Sequence, residues 1–419
     1  MKTLLKNTNY GYIVIDGNLI SYIGDEKPEG DFDSVKDMRG KMIYPGFYNT
    51  HAHTAMSLLR GVGSDKPLKE WLFDCVFPVE DRLRPHDVRV GMELSILEML
   101  ETGTVAFEDM YFMYDDAMYA IIDSGIKANI SRSLQSSDPD EPYEKSYRVR
   151  EAHELYNNYN DAGDGRIKIN FSVHAEYTTS EKIIRGIAND EIARKARMSV
   201  HLAETKKEVE ECIIKRGMSP VAYLNKLGLF EIPTCAAHCV WINDDDIEIL
   251  KAKNVGVAHC PSSNMKLASG FAPVAKLLRN GVTVGLGTDG AASNNNVDMI
   301  EEMHIASLIH KGFRMDPTTL SAKDAIKMAT LSGAKIMGRE NCGEIKVGNR
   351  ADLIAIDFDS PHMRPNIDSD ALIVYSAQGS DVCMTMVDGK ILYENGEYLT
   401  LDKERIYAEV EESRKHLYG

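Results

Sequence analysis

Two histidines one residue apart close the stretch Gly46-Phe47-Tyr48-Asn49-Thr50-His51-Ala52-His53. The run before them, residues 42–47, is apolar and rich in strand-forming side chains, which predicts a strand leading into the pair. Residues i and i+2 at a strand end point to the same side, so both imidazoles can converge on one point. A catalytic metal needs such ligands and one position left open for water. For an isolated His-x-His, a solvated pair on a loop is the alternative.

Strand-like and helix-like segments alternate from residue 42 to about residue 340. We predict eight strands, at 42–50, 104–109, 127–131, 166–174, 197–203, 234–239, 255–260 and 283–289. Helix-like segments lie at 87–101, 117–124, 147–160, 180–196, 221–227, 244–252, 274–280, 298–309 and 322–337. Repeated strand–helix units of this number predict an α/β fold, a (β/α)8 TIM-like barrel.

The sequence predicts β-strands at both ends of the chain. Residues 1–40 contain short strands around the turn Asp16-Gly17-Asn18, and residues after Gly343 predict strands at 351–357, 371–375, 382–387 and 390–393. Neither end can bury an apolar face alone, so we predict one small β-sandwich built from both ends. The predicted domains are 1–46 (first half of the sandwich), 47–343 (metal-dependent catalytic barrel) and 344–419 (second half, with a terminal helix at 402–417).

Charge and composition exclude several classes of partner. The net charge of −16 argues against a nucleic-acid or anionic-membrane surface. No apolar run approaches the ~20 residues that span a bilayer, and residues 1–7 contain no long apolar region, so no signal peptide is expected. Seven scattered cysteines suit free thiols in a reducing compartment, so a cytoplasmic location is expected.

Polar residues collect where the predicted strands end, which is the edge at which barrel enzymes place their chemistry. Imidazole nitrogen and carboxylate oxygen together suit zinc or ferrous iron, and three histidines with one aspartate leave room for water. Glu204, three residues after His201, is a candidate for moving protons, although a solvated acid at a helix start is the alternative. The strand-end residues are His51, His53, Arg132, His174, His201, His238, His259 and Asp289.

The chain resembles the amidohydrolase superfamily, in its cytosine-deaminase-like and chlorohydrolase-like branch. Within that branch it is most similar to the 5-methylthioadenosine/S-adenosylhomocysteine deaminases. The motifs that carry the likeness are residues 45–53, His201-Leu202-Ala203-Glu204-Thr205, His238-Cys239 with His259-Cys260-Pro261-Ser262-Ser263-Asn264, Gly287-Thr288-Asp289-Gly290-Ala291-Ala292-Ser293-Asn294, and Gly348-Asn349-Arg350-Ala351-Asp352-Leu353.

The resemblance implies a ligand set and three catalytic roles. One divalent metal is expected, zinc foremost, with iron and manganese as alternatives. Glu204 would shuttle protons, His238 would polarise the nucleophile or the tetrahedral intermediate, and Asp289 would orient the nucleophile. The implied metal ligands are His51, His53, His201 and Asp289.

Five residues match substrate contacts of the family: Trp71, Glu80, Arg132, Arg148 and His174. In this reading Glu80 holds the ribose hydroxyls, His174 contacts the base, and the two arginines can meet a substrate carboxylate. Each residue has a plain structural alternative: Trp71 as core, Glu80 paired with Arg82 or Arg84, Arg132 in a rim ion pair, and Arg148 at the surface.

The chain departs from the family at two places. The segment His174-Ala175-Glu176-Tyr177 adds an acid that we expect near the pocket, and the loop 135–145 is acidic. His174 stands where relatives with two metals have a lysine, which favours one metal.

The expected reaction is metal-dependent hydrolytic deamination of an adenine nucleoside: 5′-methylthioadenosine, S-adenosylhomocysteine, adenosine or 5′-deoxyadenosine. Rivals on the same metal site are deamination of a free base (guanine or cytosine) or a triazine, and hydrolysis of a cyclic amide. A barrel that binds metal or nucleoside without turnover is the non-enzymatic rival. The expected partner is a small nucleoside, and packing of the helical shell against a copy makes a homo-oligomer plausible.

Overall fold

The computed structural model describes residues 1–67, 70–136 and 138–419. Its strands are β1 (Lys2–Thr8), β2 (Gly11–Asp16), β3 (Leu19–Gly24), β4 (Ser34–Asp37), β5 (Lys41–Pro45), β6 (Phe47–His53), β7 (Thr104–Tyr111), β8 (Lys127–Leu134), β9 (Ile167–Val173), β10 (Met198–Leu202), β11 (Thr234–His238), β12 (Gly256–His259), β13 (Val284–Leu286), β14 (Asp289–Gly290), β15 (Leu353–Asp357), β16 (Val382–Val387), β17 (Lys390–Glu394) and β18 (Glu397–Tyr398).

Helices follow most strands of the barrel and cover its outside. The α-helices are Phe77–Glu80, Pro85–Glu101, Ala117–Ser124, Tyr147–Tyr159, Glu181–Asn189, Lys206–Arg216, Pro220–Lys226, Asp244–Ala252, Pro261–Lys266, Val274–Arg279, Met299–Arg314, Ala322–Lys327, Gly333–Ile336, Ser369–Tyr375 and Lys403–Tyr418. Wider π-helical turns at Trp71–Val76 and Met328–Ser332 precede or interrupt two of them.

The central sheet is a parallel barrel of eight strands. Strands β6 to β13 lie side by side in chain order, and each neighbour pair is parallel. The eighth strand is divided: β13 pairs with β12, and β14 pairs with β6, with Asp289 opposite Ala52. This pairing closes the ring, so the predicted TIM-like barrel is confirmed. All carboxyl ends therefore meet at one rim.

The strand predicted at 42–50 is two strands that belong to different sheets. β5 pairs antiparallel with β15 in the sandwich, whereas β6 enters the barrel. Gly46 stands between them, and a Cβ on it would lie 2.2 Å from a methyl group of Val105. The chain passes from one sheet to the other here because glycine leaves room for the barrel strand beside it.

The two chain ends form two sheets with a shared core. The sheet orders are β3-β2-β1-β4 and β18-β17-β16-β15-β5. One apolar cluster joins Leu5 and Ile13 from the first sheet to Leu353 and Met384 from the second. The predicted sandwich is therefore present.

A buried ionic cluster joins barrel and sandwich. Lys127 Nζ, at the start of β8, lies 2.6 Å from Asp352 Oδ1, just before β15. The Tyr48 hydroxyl donates to Asp352 Oδ2 at 2.6 Å, and Asp388 is 2.9 Å from the same lysine. Buried charges need such partners, so this cluster fixes how the sandwich sits against the bottom of the barrel.

The prediction of a strand at 371–375 is wrong, because Ser369–Tyr375 is a helix. The Asp368 side chain accepts a hydrogen bond from the Ala371 backbone N–H and caps the helix start. Ile373 and Val374 are then buried on one face. A short apolar run fits a buried helix as well as a strand, and the preceding cap was the overlooked signal.

Other sequence predictions have simpler outcomes. All seven cysteines carry free thiols, as expected. Within residues 1–67, 70–136 and 138–419, no helix combines the length and apolar character needed to cross a bilayer. Lys69, in the predicted Trp71 segment, and Ser137, in the acidic loop 135–145, lie outside the described residues.

Candidate functional site

Five predicted side chains meet at the carboxyl rim of the barrel. His51 and His53 come from β6, His201 from β10, His238 from β11 and Asp289 from β14. One ligand atom each from His51, His53 and His201 lies within 4.8 Å of the others, and the same holds for His51, His238 and Asp289. His51 belongs to both groups, so the five donors surround one point.

Backbone carbonyls orient two of these imidazoles. His53 Nδ1 is 2.6 Å from the Met110 carbonyl oxygen, and His201 Nδ1 is 2.7 Å from the His174 carbonyl oxygen. Since a carbonyl only accepts, each Nδ1 carries the proton and each Nε2 presents a lone pair. The two Nε2 atoms face each other at 3.2 Å. Opposed lone pairs repel unless a cation or proton lies between them.

Asp289 is held with one oxygen turned to the histidines. Ser263 and Ser293 donate their hydroxyls to Oδ2 at 2.6 and 3.0 Å. Oδ1 lies 3.5 Å from His51 Nε2 and 3.3 Å from His53 Nε2. Burial opposes ionisation, but these two histidines hold the pKa of Asp289 well below its usual range. The group is an anion aimed at the histidine cluster.

These donors fit a divalent metal. The buried Nε2 of His51 has no hydrogen-bond partner among the described residues, although it faces the cluster. Burial lowers the pKa of His51 to about 4 and that of His201 well below its usual value, which keeps both in the neutral, ligating form. Imidazole nitrogens with one carboxylate oxygen match the ligands of catalytic zinc. A metal ion there would give His51 Nε2 the partner that it lacks among the described residues.

Glu204 and His238 stand next to this cluster. The Glu204 carboxylate is 4.0 Å from His238 Nε2 and accepts a hydrogen bond from the Ser269 hydroxyl at 3.2 Å. The other ring nitrogen of His238 lies 3.0 Å from Asn264 Oδ1, which orients the ring. Burial raises the pKa of Glu204 above the ordinary carboxyl value. A buried carboxyl with a raised pKa suits general acid–base work.

Unusual backbone angles aim several of these groups inward. Ala203, His238 and Asp289 have φ angles of 50°, 72° and 61°. Non-glycine residues adopt this left-handed region rarely and at a cost, and such residues concentrate at functional sites. Ala203 follows β10, His238 ends β11 and Asp289 begins β14, so all three of these angles lie at the carboxyl rim of the barrel.

A cavity of about 830 Å³ opens above the cluster. Glu80, Trp71 and Tyr111 line one wall, together with His53. The Tyr111 hydroxyl donates to Glu80 at 2.6 Å, and burial raises the pKa of Glu80. Glu80 therefore does not pair with Arg82 or Arg84. The Trp71 ring is buried and its N–H donates to the Val62 carbonyl, so the indole lines the cavity by its ring alone.

The other three predicted contacts also line the cavity. His174 lies beside His201, with its Nδ1 2.8 Å from the Thr178 hydroxyl, and burial lowers its pKa to about 3. Arg132 and Arg148 line the cavity too. Arg132 also forms the rim ion pair that was its alternative, with Glu151 at 2.7 Å.

Two expectations for this rim are wrong. His259 ends β12 but turns away, because its Nε2 lies 3.0 Å from Nε2 of His310 in the helical shell. The acid of His174-Ala175-Glu176-Tyr177 does not enter the cavity: Glu176 is buried against Arg216, 3.1 Å away, and Tyr177 lines the cavity instead. His259 and Glu176 both contact partners outside the barrel mouth. The spacing of residues along the chain does not predict these contacts.

Several supporting residues escaped sequence reasoning. Ser263, Asn264 and Ser293 lie inside motifs already singled out, so their neighbourhood was a usable signal. Tyr111 and Ser269 carried none, because their contacts come from chain segments far apart in sequence.

This chain is similar to a family model, to a named relative and to solved structures. The model of the amidohydrolase family matches residues 42–392. A protein of Thermoanaerobacter pseudethanolicus named 5-methylthioadenosine/S-adenosylhomocysteine deaminase is 43% identical over 99% of this chain and 95% of its own length. A zinc-bound adenosine deaminase from Xanthomonas campestris has a TM-score of 0.92 at 28% identity, with 99% of this chain and 98% of that chain covered.

A further structure supports the fold alone. The zinc complex of an atrazine chlorohydrolase from Arthrobacter aurescens superposes with a TM-score of 0.90 at 22% identity, covering 98% of this chain and all of that one. The family match spans most of the chain, and the full-length relative agrees with it. The chain therefore belongs to the amidohydrolase family of metal-dependent hydrolases.

Proposed function

We propose that this protein is a hydrolase of C–N bonds that deaminates adenine nucleosides, with 5′-methylthioadenosine and S-adenosylhomocysteine as the leading substrates. One observation supports the reaction above all. A buried carboxyl of raised pKa, Glu204, lies beside His238 on the rim that also gathers the metal-type donors. The full-length relative named as such a deaminase supports the substrate class.

His51, His53, His201 and Asp289 would hold the metal. When bound, a divalent ion lowers the pKa of a water ligand from about 15.7 towards about 7 and so makes hydroxide accessible at neutral pH. We propose zinc, because the donor set suits it and the adenosine deaminase neighbour has it bound. A homo-oligomer and a cytoplasmic location remain part of the same proposal.

Glu204 carries the protons. Water adds to C6 of the purine, and the Glu204 carboxyl takes a proton from it and delivers that proton to N1. The second proton of the water reaches the amino group, which leaves as ammonia while C6 becomes a carbonyl. His238, oriented by Asn264, would polarise the nucleophile or the tetrahedral intermediate, and Asp289 accepts from the attacking water.

Glu80 is proposed to select nucleosides over free bases. Glu80 and Glu204 line the same cavity, and the Glu80 carboxylate accepts a hydrogen bond from Tyr111. Ribose hydroxyls would donate to it, while His174 contacts the base. A buried acceptor of this kind disfavours substrates that lack the hydroxyl, because it is then left unpaired.

The test is ammonia release by metal-loaded protein from adenosine, 5′-deoxyadenosine, 5′-methylthioadenosine, S-adenosylhomocysteine, guanine and cytosine. The Glu204→Gln variant is the control. We expect turnover of the adenosines and an inactive variant. Turnover of the free bases alone would overturn the nucleoside assignment. If no compound of the panel releases ammonia, the proposed deamination is wrong, and hydrolysis of a cyclic amide and then binding without turnover are the next hypotheses to test.

A further inference from the structure

The helix Tyr147–Tyr159 presents one polar stripe to the cavity. Arg148, Glu151, Leu155 and Asn158 line the cavity, and so does Glu154; these residues are called the helix wall. Their spacing of three and four residues places them on one helix face. Two carboxylates and one guanidinium of the same helix therefore meet any group that extends from the catalytic centre towards solvent.

The charges on this wall are unequally matched. Arg148 and Glu151 are three positions apart and could pair. Instead, Glu151 Oε2 lies 2.7 Å from Arg132 Nε, and another nitrogen of Arg132 donates to the Ser133 carbonyl at 2.7 Å. Arg148 lies over the ring of Tyr147, 4.6 Å from its centroid. Among the described residues no carboxylate comes within 4.0 Å of Arg148.

This arrangement separates two recognition functions. Within the described part of the chain Arg148 forms no ion pair, so a carboxylate of a substrate can pair with it. Arg132 is already paired with Glu151, so an anionic group of a substrate must compete with Glu151 for the Arg132 guanidinium. The Glu151 side chain is itself 47% exposed, which leaves carboxylate oxygen surface for a cationic group.

We propose that Glu151 is a specificity-determining residue that selects a zwitterionic 5′ substituent, an ammonium and a carboxylate on one carbon, over a purely anionic one. The inference rests on the proposed function and specifies its substrate class. The ammonium donates to Glu151 while the carboxylate pairs with Arg148. A substituent with a carboxylate alone is repelled by Glu151 and Glu154, because it brings no ammonium group to pair with these acids.

Two tails on the same nucleoside test this assignment. One compound carries a 5′-(3-aminopropyl)thio group, with an ammonium only, and the other a 5′-(3-carboxypropyl)thio group, with a carboxylate only. For each, kcat/KM is divided by that for 5′-methylthioadenosine, which has no charged tail. In the Glu151→Gln variant we expect the aminopropyl ratio to fall by about fivefold or more, as for loss of one charge-assisted hydrogen bond.

The carboxypropyl ratio should rise in the same variant, because Arg132 loses its internal competitor. Glu144→Gln is the matched control: the same charge is removed from an exposed residue before the helix, and both ratios should stay at the wild-type values. Ratios that are unchanged in Glu151→Gln, or that move in the same direction, would overturn the proposal.

Binding separates this proposal from the proposed function. The same two compounds are titrated calorimetrically into Glu204→Gln protein with and without Glu151→Gln, and the ratio of their Kd values is compared. If wild-type protein turns over none of the nucleosides, the proposed function fails, yet the Kd ratio still decides the role of Glu151. If turnover is found but neither ratio responds, only the assignment of Glu151 fails.

Discussion

Replacing Glu80 by glutamine should convert a nucleoside-selective enzyme into one that is nearly indifferent to the ribose hydroxyls. Glu80 lines the cavity, and it accepts a hydrogen bond from Tyr111 at 2.6 Å. Glutamine keeps the size of the side chain but replaces one acceptor oxygen by an N–H donor and removes the charge. One hydrogen bond from a ribose hydroxyl to a charged acceptor is lost.

The loss can be estimated. A hydrogen bond to a charged group contributes about 1.5–3 kcal/mol, which corresponds to roughly ten- to 150-fold in kcat/KM. The assay is ammonia release from adenosine and from 2′,3′-dideoxyadenosine, by wild-type and variant protein. We expect adenosine to lose this factor and the dideoxy compound to change little, so that the cycle yields the pairwise interaction.

Asp74→Asn is the control for this prediction, because Asp74 is an exposed acid on the neighbouring turn. It should leave both substrates at wild-type rates. If Glu80→Gln lowers turnover of adenosine and its dideoxy analogue by the same factor, Glu80 acts on the fold or on the base, and the ribose contact is refuted.

Further predictions concern the proton carrier, the metal and the barrel–sandwich joint. Glu204→Gln should lower kcat by about 10²–10⁴-fold while the metal content, measured by atomic absorption, stays that of wild type; loss of metal would make Glu204 a ligand instead. Removal of metal with a chelator should abolish ammonia release and lower Tm, with both restored by added zinc; full activity of metal-free protein would contradict the ligand assignment. Lys127→Met should lower the free energy of unfolding in urea by about 3–5 kcal/mol, since Asp352 becomes a buried charge without this partner, whereas Lys168→Met should change it little, because the Lys168 side chain is 38% exposed. The pKa of Asp352 is lowered in the folded protein, so the stability from this cluster is complete above the ordinary value of 3.8 and is lost as the pH falls below it; an acid unfolding transition that is the same in Lys127→Met would refute this coupling.

The barrel and the cluster of donors could be predicted from the sequence for a physical reason. Parallel strands joined by helices bring all their carboxyl ends to one edge, so residues such as His51, His201 and Asp289 must share a rim. Strand ends are local features that the chain itself displays. The division into 1–46, 47–343 and 344–419 stays a prediction, as do the individual roles of the site residues.

What failed depends on contacts between distant segments. Spacing along the chain cannot show that His259 turns to His310, or that Glu151 reaches across to Arg132. The helix at Ser369–Tyr375 was misjudged because its apolar residues fit either period over so short a length, and only packing decides. The sequence predicts which residues lie at strand ends, whereas the contact partner of each side chain depends on the tertiary fold.

The most direct measurement follows the fate of oxygen and nitrogen in one experiment. Metal-loaded protein is incubated with 5′-methylthioadenosine in water labelled with the heavy oxygen isotope, and the product is analysed by mass spectrometry while ammonia is quantified. Hydrolytic deamination predicts one labelled oxygen at C6 of the product 5′-methylthioinosine for each ammonia released, with the sugar and the thioether intact. Cleavage of the nucleoside to a free base, or a product without label at C6, would contradict it.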